Sequence, residues 1–204
     1  MDSRYSELAR LIEDWPGLVS QPAAGLVEDS LVLVPHLDDA RRLVDVGSGG
    51  GLPGLPLKIA RPELQVTLIE ADQEKAAFLV QAAARLRLDV EVVARRAEDV
   101  GRDARYRETF DVAVARALAP MPVLVELCLP LVRVGGRLLA QKTESEGADA
   151  ARTAITLLGG AAPQIVAAGS ALRSRGTVIA VGKVRPTPDG YPRRSGVPAR
   201  KPLG

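Results

Sequence analysis

The chain holds one cysteine, one histidine and no asparagine in 204 residues. The lone thiol, Cys128, excludes an internal disulfide and any structural zinc site built from thiolates. It falls in the apolar pattern Val123-Leu124-Val125-Glu126-Leu127-Cys128-Leu129, which assigns it to a buried helix face. No apolar run approaches the ~20 residues that span a bilayer. Met1-Asp-Ser-Arg also lacks the charged-then-apolar layout of a signal peptide, so a cytoplasmic protein is expected. The missing asparagine accompanies 22 arginines among 27 basic residues, a mark of genome composition rather than of function. No internal repeat is visible.

The net charge of +2 is unevenly distributed. Residues 1–100 carry 11 basic against 17 acidic side chains, and residues 101–204 carry 16 against 8. A basic half fits a polyanionic partner, though charge alone favours the alternative, a solvated surface.

From residue 43 onward, strand and helix patterns alternate. Strands are expected at 43–46, 66–70, 90–94, 111–115, 137–142, 164–168 and 176–183, and helices at 55–60, 73–87, 121–131 and 146–158. Helices at 1–14 and 22–37 precede them. The alternation predicts an α/β fold: a Rossmann-like, mostly parallel seven-stranded sheet with helices on both faces. Only Gly169 to Arg175 separates the last two strands, too little for a crossover, so they should form an antiparallel hairpin at one edge, with one strand of the sheet reversed. A single domain is expected over 1–183, its N-terminal helices within 1–40. A basic, proline-rich tail over 184–204 should be either disordered or an extended strap docked on the domain or on RNA, with the strap favoured. Its five prolines argue against helix there.

The most informative stretch is Leu43-Val-Asp45-Val-Gly47-Ser-Gly49-Gly-Gly51-Leu52-Pro53-Gly54. It reads as a buried strand, a glycine-rich turn and a helix start. Such a turn brings backbone close to a ligand and offers the N–H groups of a helix N-terminus. The dinucleotide fingerprint Gly-x-Gly-x-x-Gly fails from Gly47, where Leu52 takes the last place, though a shifted reading from Gly49 survives. The spacing Asp45-x-Gly47-x-Gly49-x-Gly51 fits the nucleoside loop of methyltransferases better. A carboxylate at the strand end repels a pyrophosphate and attracts the ammonium and sulfonium of S-adenosylmethionine. Glu70, ending the second strand, suits ribose hydroxyls in either ligand class. Asp45 and Glu70 also read as ordinary strand-end caps.

Three segments together resemble a family. The Asp45–Gly54 loop, Arg96-Ala97-Glu98 after the third strand and Ala115-Arg116-Ala117 after the fourth are similar to the bacterial 16S rRNA guanine-N7 methyltransferases (RsmG, or glucose-inhibited division protein B). The tail Tyr191-Pro-Arg…Gly196-x-Pro…Lys201-Pro-Leu203 resembles their C-termini. The resemblance implies S-adenosylmethionine as methyl donor and a guanine of the 530-loop region, methylated at N7, as acceptor. It implies cofactor contacts at Gly47, Leu52, Glu70, Ala97, Glu98 and Arg116 and 16S rRNA or the 30S subunit as partner; a monomer without a metal is expected. The chain departs from the family in a short N-terminal region that lacks its Asn-Leu-Thr segment and the histidine before Asp-Ser. Glu28-Asp29-Ser30 is what remains, and the family's Lys-Gly reads Lys142-Thr143.

The implied chemistry needs no protein base, because guanine N7 carries an unprotonated in-plane lone pair. The chain accordingly has no Asn/Asp-Pro-Pro-Tyr/Phe motif for an exocyclic amine and no Pro-Cys loop for pyrimidine C5. His36, beside Pro35, reads as a surface or capping residue. Arg116 is the candidate for ordering the site, through the cofactor's methionine end or an RNA phosphate; its alternative is a structural pair with Glu98 or Asp99. Glu98 is either an adenine-pocket residue or part of a short helix cap, and Lys142 either faces RNA or snorkels at the surface.

Overall fold

The computed structural model describes residues 2–18, 22–142 and 148–203. Its strands are β1 Arg42–Val46, β2 Gln65–Ile69, β3 Val90–Val93, β4 Phe110–Arg116, β5 Val132–Lys142, β6 Gln164–Ala167 and β7 Thr177–Gly182. They form one sheet in the order β3-β2-β1-β4-β5-β7-β6. β1 to β5 run parallel, and β7 is antiparallel to both β5 and β6, as the short 169–175 connection demands. Chain order reverses direction between β1 and β4, and the crevice at the carboxyl ends of those strands is where open sheets of this kind bind ligands.

The helices are α1 Ser3–Asp14, α2 Ala23–Ser30, α3 Gly54–Ala60, α4 Gln73–Leu86, α5 Ala97–Val100, α6 Met121–Cys128, α7 Arg152–Leu157 and α8 Val197–Arg200. Asp72 caps α4 by accepting the N–H groups of Glu74 and Lys75, and Arg87 ends it in the left-handed region. Alternate strand residues feed two apolar layers. Val44, Ala113 and Leu138 join α6 and α7 on one face, while Leu43, Val112 and Leu139 join α1, α3 and α4 on the other. Trp15 meets Phe78 edge-on at 5.4 Å, tying the end of α1 to α4.

Some expected boundaries move. The 22–37 helix is α-helical only to Ser30 and continues as a 3₁₀ helix over Leu31–His36 with Pro35 inside it. The 121–131 helix likewise tightens at Leu129–Leu131, where Pro130 lacks the N–H that an α-helix would use. β5 begins at Val132 rather than 137, crossing Gly135 and Gly136. Of the helix expected at 146–158 the structure shows Arg152–Leu157; its first residues, like Thr143, lie outside the described residues.

The tail carries a helical turn that its prolines seemed to forbid. Pro198 stands in the first turn of α8, where no intrahelical N–H is required. The tail docks on the domain through internal side chains. Lys183 is buried and donates to the carbonyl of Leu129 and to Thr187, both at 2.6 Å, and pairs with Glu108 at 3.0 Å. Arg107 donates to the carbonyls of Tyr191 and Thr187 at 2.7 Å. Arg193 joins fully buried Glu126 by two side-chain hydrogen bonds of 2.8 and 2.6 Å.

Candidate functional site

The loop after β1 is held by its own N–H groups. Those of Gly47 and Ser48 donate to the carbonyl of Ile69, and those of Gly51 and Leu52 to the carbonyl of Ser48. Gly49 N–H donates to Glu70 Oε2 at 2.9 Å, and Gly54 N–H, at the start of α3, donates to Asp45 Oδ2 at 2.8 Å. A dinucleotide loop turns such donors toward pyrophosphate. Here two carboxylates take the donors that would matter most, so the loop forms no anion cradle. The close approach at Gly54 is obligatory, because a Cβ there would lie 2.7 Å from Asp45 Oδ2 and 2.5 Å from a Leu68 methyl. Gly49, at φ +51°, has open space where a side chain would project. That space lies over the carboxyl end of β1.

Asp45 is fully buried, and burial drives its pKa up to about 7 against the Gly54 hydrogen bond and the nearby Arg116 charge. Its Oδ1 has no hydrogen-bond partner among the described residues. The sequence argument gave this residue a full negative charge facing a ligand. The structure gives it a partial charge near neutral pH, acting through the loop it braces. Glu70 completes that brace, its Oε1 accepting the N–H of Asp72 at 2.9 Å.

Around the rim the other expected residues take distinct places. Leu52 is buried beneath the loop, and the Leu118 side chain lies against Gly47, with a methyl 2.4 Å from where a Cβ would sit. Ala97 opens α5 and packs on the core. Glu98 is buried, and its Oε1 accepts from Arg96 Nη2 at 3.0 Å and from the Gly196 N–H at 2.9 Å. Burial acts to raise its pKa, but these two donors outweigh it and hold the carboxyl below its usual range. Glu98 therefore sits in the first turn of a short helix and also joins the tail to the rim. Ser195 Oγ adds a bond to Asp99 at 2.9 Å.

Arg116 ends β4 and donates to the carbonyl of Leu26 at 3.2 Å rather than to Glu98 or Asp99. Burial lowers its pKa, while the charges of Asp29 and Asp45 raise it. Ala117, next in the chain, holds φ at +51°, a strained conformation for a residue with a side chain. Lys142 Nζ donates to the carbonyl of Ala119 at 2.8 Å. The structure thus brings Asp45, Gly47, Gly49, Gly51, Leu52, Glu70 and Arg116 to the carboxyl ends of β1, β2 and β4. Ala97 and Glu98 follow β3 on the tail side.

Sequence reasoning missed a buried cluster on the opposite wall. Asp29, on α2, accepts from Arg173 Nε at 2.8 Å, from Gln141 Nε2 at 3.0 Å and from Ser170 Oγ. Arg173 Nη1 also donates to the carbonyl of Lys142. Arg173 Nη2 and Gln141 Oε1 remain buried without partners among the described residues. The Asp29-Ser30 pair was the one visible trace, but nothing local connects it to residues more than a hundred positions away.

The residues present fit S-adenosylmethionine. Open space over Gly49, loop donors already taken by Asp45 and Glu70, and an unpartnered Asp45 oxygen suit a ligand that is cationic and carries no phosphate. Solved structures agree on the fold. An O-methyltransferase from Bacillus cereus in complex with SAH superposes with a TM-score of 0.65 at 22% identity, covering 90% of this chain and 92% of that one. A Thermus thermophilus 16S rRNA N2 G1207 methyltransferase, solved with AdoMet and guanosine, gives a TM-score of 0.56 at 17% identity over 79% of this chain and 40% of that one. Sequence relatives go further. Ribosomal RNA small subunit methyltransferase G of Roseiflexus castenholzii is 49% identical over 172 residues, covering 81% of this chain and 72% of the relative. That of Moorella thermoacetica is 46% identical over 186 residues, covering 87% and 76%. Residues 23–174 match the family described as rRNA small subunit methyltransferase G. With that match and those relatives, the chain belongs to the rRNA small subunit methyltransferase G family.

Proposed function

We propose that this protein transfers a methyl group from S-adenosylmethionine to N7 of a guanine in the 530-loop region of 16S rRNA, by direct in-line attack without a protein base. Family membership supports the reaction class. The observation that carries the ligand is the loop whose N–H groups are spent on Glu70 and Asp45, leaving no phosphate cradle. When bound, the cofactor supplies an electrophilic methyl group.

The chain's own residues then bind, orient and exclude water. Glu70, fixed by the Gly49 and Asp72 N–H groups, presents its carboxylate at the ribose. Ala97 and Glu98 shape the adenine side. Gly47, Gly49, Gly51 and Leu52 give the floor, with Leu118 closing over Gly47. Asp45 braces the loop from below, and Arg116 orders the boundary between the cofactor and acceptor halves. Because N7 needs no deprotonation, alignment of nucleophile and methyl carbon is the main task, and a rigid pair of walls serves it. The two residues most often recruited for covalent or base catalysis are out of place. Cys128 is buried in the core, where burial pushes its thiol pKa up, and His36 ends the 3₁₀ helix that precedes β1.

In this proposal residues 1–183 form one methyltransferase domain with 184–204 strapped to it, acting as a monomer on 16S rRNA or the 30S subunit in the cytoplasm, without a metal. No helix among the described residues is long and apolar enough to cross a membrane. The test is transfer of labelled methyl to 30S subunits, naked 16S rRNA and tRNA, followed by chemical cleavage at N7-methylguanine. Label in one 16S guanine that cleaves as the N7 product is expected. Label confined to a protein or a small molecule would move the chain to another acceptor class within the same fold.

A further inference from the structure

The tail divides its cations between two directions. Arg193 turns inward to buried Glu126, and its Nη2 also donates to the carbonyl of Lys201 at 2.7 Å. Arg194, Arg200 and Lys201 are exposed, and none forms an ion pair with a carboxylate of the described residues. The backbone that carries them is ordered. The N–H groups of Val197, Arg200 and Lys201 donate to the carbonyls of Arg194, Gly196 and Val197. The segment is also pinned to the rim of the cleft, through Gly196 on Glu98 and Ser195 on Asp99. Arg96, half-exposed and bound to the same Glu98 oxygen as Gly196, continues the positive edge toward the cofactor side.

We infer that the outward face of this strap, with Arg194, Arg200 and Lys201, is a phosphate-binding surface that seats the RNA substrate beside the cleft. The inference rests on the proposal that the acceptor is rRNA. An ordinary solvated tail would scatter its charges along mobile chain. Here the cross-link from Arg193 to both Glu126 and the Lys201 carbonyl orders the backbone that carries three cations, so less chain freedom is lost on binding. Phosphate contacts of this kind set register and orientation rather than read bases. That is the need of an enzyme whose reaction depends on alignment.

The experiment compares the full chain with the triple variants R194E/R200E/K201E and R194Q/R200Q/K201Q. Binding to naked 16S rRNA and to 30S subunits is measured over a series of salt concentrations, beside affinity for S-adenosylhomocysteine and the unfolding midpoint. Losing three phosphate contacts should reduce the slope of log affinity against log salt by about 2. RNA affinity should fall at least tenfold at low salt, more for the Glu variant than for the Gln variant. S-adenosylhomocysteine affinity and the unfolding midpoint should stay unchanged. Unaltered RNA affinity and slope, with the parent chain still methylating rRNA, would overturn the surface and leave the proposed function standing. A lowered unfolding midpoint or weakened S-adenosylhomocysteine binding would show these cations holding the fold instead, and would overturn it too. If the parent chain itself neither binds nor methylates rRNA, the proposed function falls and this surface with it.

Discussion

Glu126 and Asp29 are both buried carboxylates, each paired with an arginine, and they sit on α6 and α2, helices on opposite faces of the sheet. Among the described residues, every hydrogen bond to the Glu126 carboxylate comes from one residue, through the Arg193 backbone N–H at 2.9 Å and its guanidinium at 2.8 and 2.6 Å. Asp29 draws on three residues, Arg173, Gln141 and Ser170, from two separate segments. The first arrangement is concentrated on one residue, so losing the Arg193 guanidinium leaves Glu126 a single backbone donor in the core. The second is distributed, and it tolerates two unpartnered atoms, Arg173 Nη2 and Gln141 Oε1. The Glu126 side is thereby built to be closed, and the Asp29 side to be adjustable.

The sharpest break of this contrast is Arg193→Ala. Stranding one member of a buried pair costs roughly 3–5 kcal/mol. The backbone N–H at 193 still reaches Glu126, and Arg107, Lys183 and Gly196 still hold the tail, so denaturant unfolding should show a loss of about 3 kcal/mol with the tail in place. A loss under about 1 kcal/mol would mean that the Arg193 guanidinium is not what holds Glu126.

Asp45 lies between the two sides and gives the next effect. Its folded pKa is about 7, above the model-peptide value of 3.8, so the folded protein keeps a proton that the unfolded chain releases. Its stabilising share is complete below about pH 4 and is lost as pH rises to about 7. Each tenfold change in proton affinity is about 1.4 kcal/mol, so the swing is on the order of a few kcal/mol. Urea midpoints taken from pH 4 to pH 8 should fall for the parent chain and lose that component in Asp45→Asn. Parallel profiles for the two proteins would refute it.

Arg173→Ala should be the mildest of the three. Asp29 keeps Gln141 and Ser170 as donors, so a stability loss of about 2 kcal/mol is expected. If the Asp29 side faces the acceptor, cofactor affinity should stay near that of the parent while methyl transfer falls more steeply. A stability loss equal to that of Arg193→Ala would erase the distinction between the two sides.

The parts that were legible in the sequence share a cause. Strands such as Leu43–Val46 and the long helix over 73–87 announce themselves by local periodicity, and the glycine loop by local composition. The 169–175 gap was short enough to force β6 and β7 antiparallel to each other. The parts that were not legible depend on reach. That Glu70 would take the Gly49 N–H is a contact across 21 positions, and the Asp29–Arg173 bond spans 144. No spacing rule encodes either one. Arg116 was placed correctly at the crevice, yet its partner, the carbonyl of Leu26, is a backbone atom that no motif marks. The tail misled in a narrower way. Its prolines were read as excluding helix, but Pro198 occupies the one helical position where proline is welcome.

The hydrogen bond from Gly196 to Glu98 ties together residues 98 positions apart. During translation the glycine loop and the turn after β3 emerge long before the segment that secures them. A chain that stops between residues 182 and 193 has every strand of the sheet but lacks the residue that pairs with Glu126.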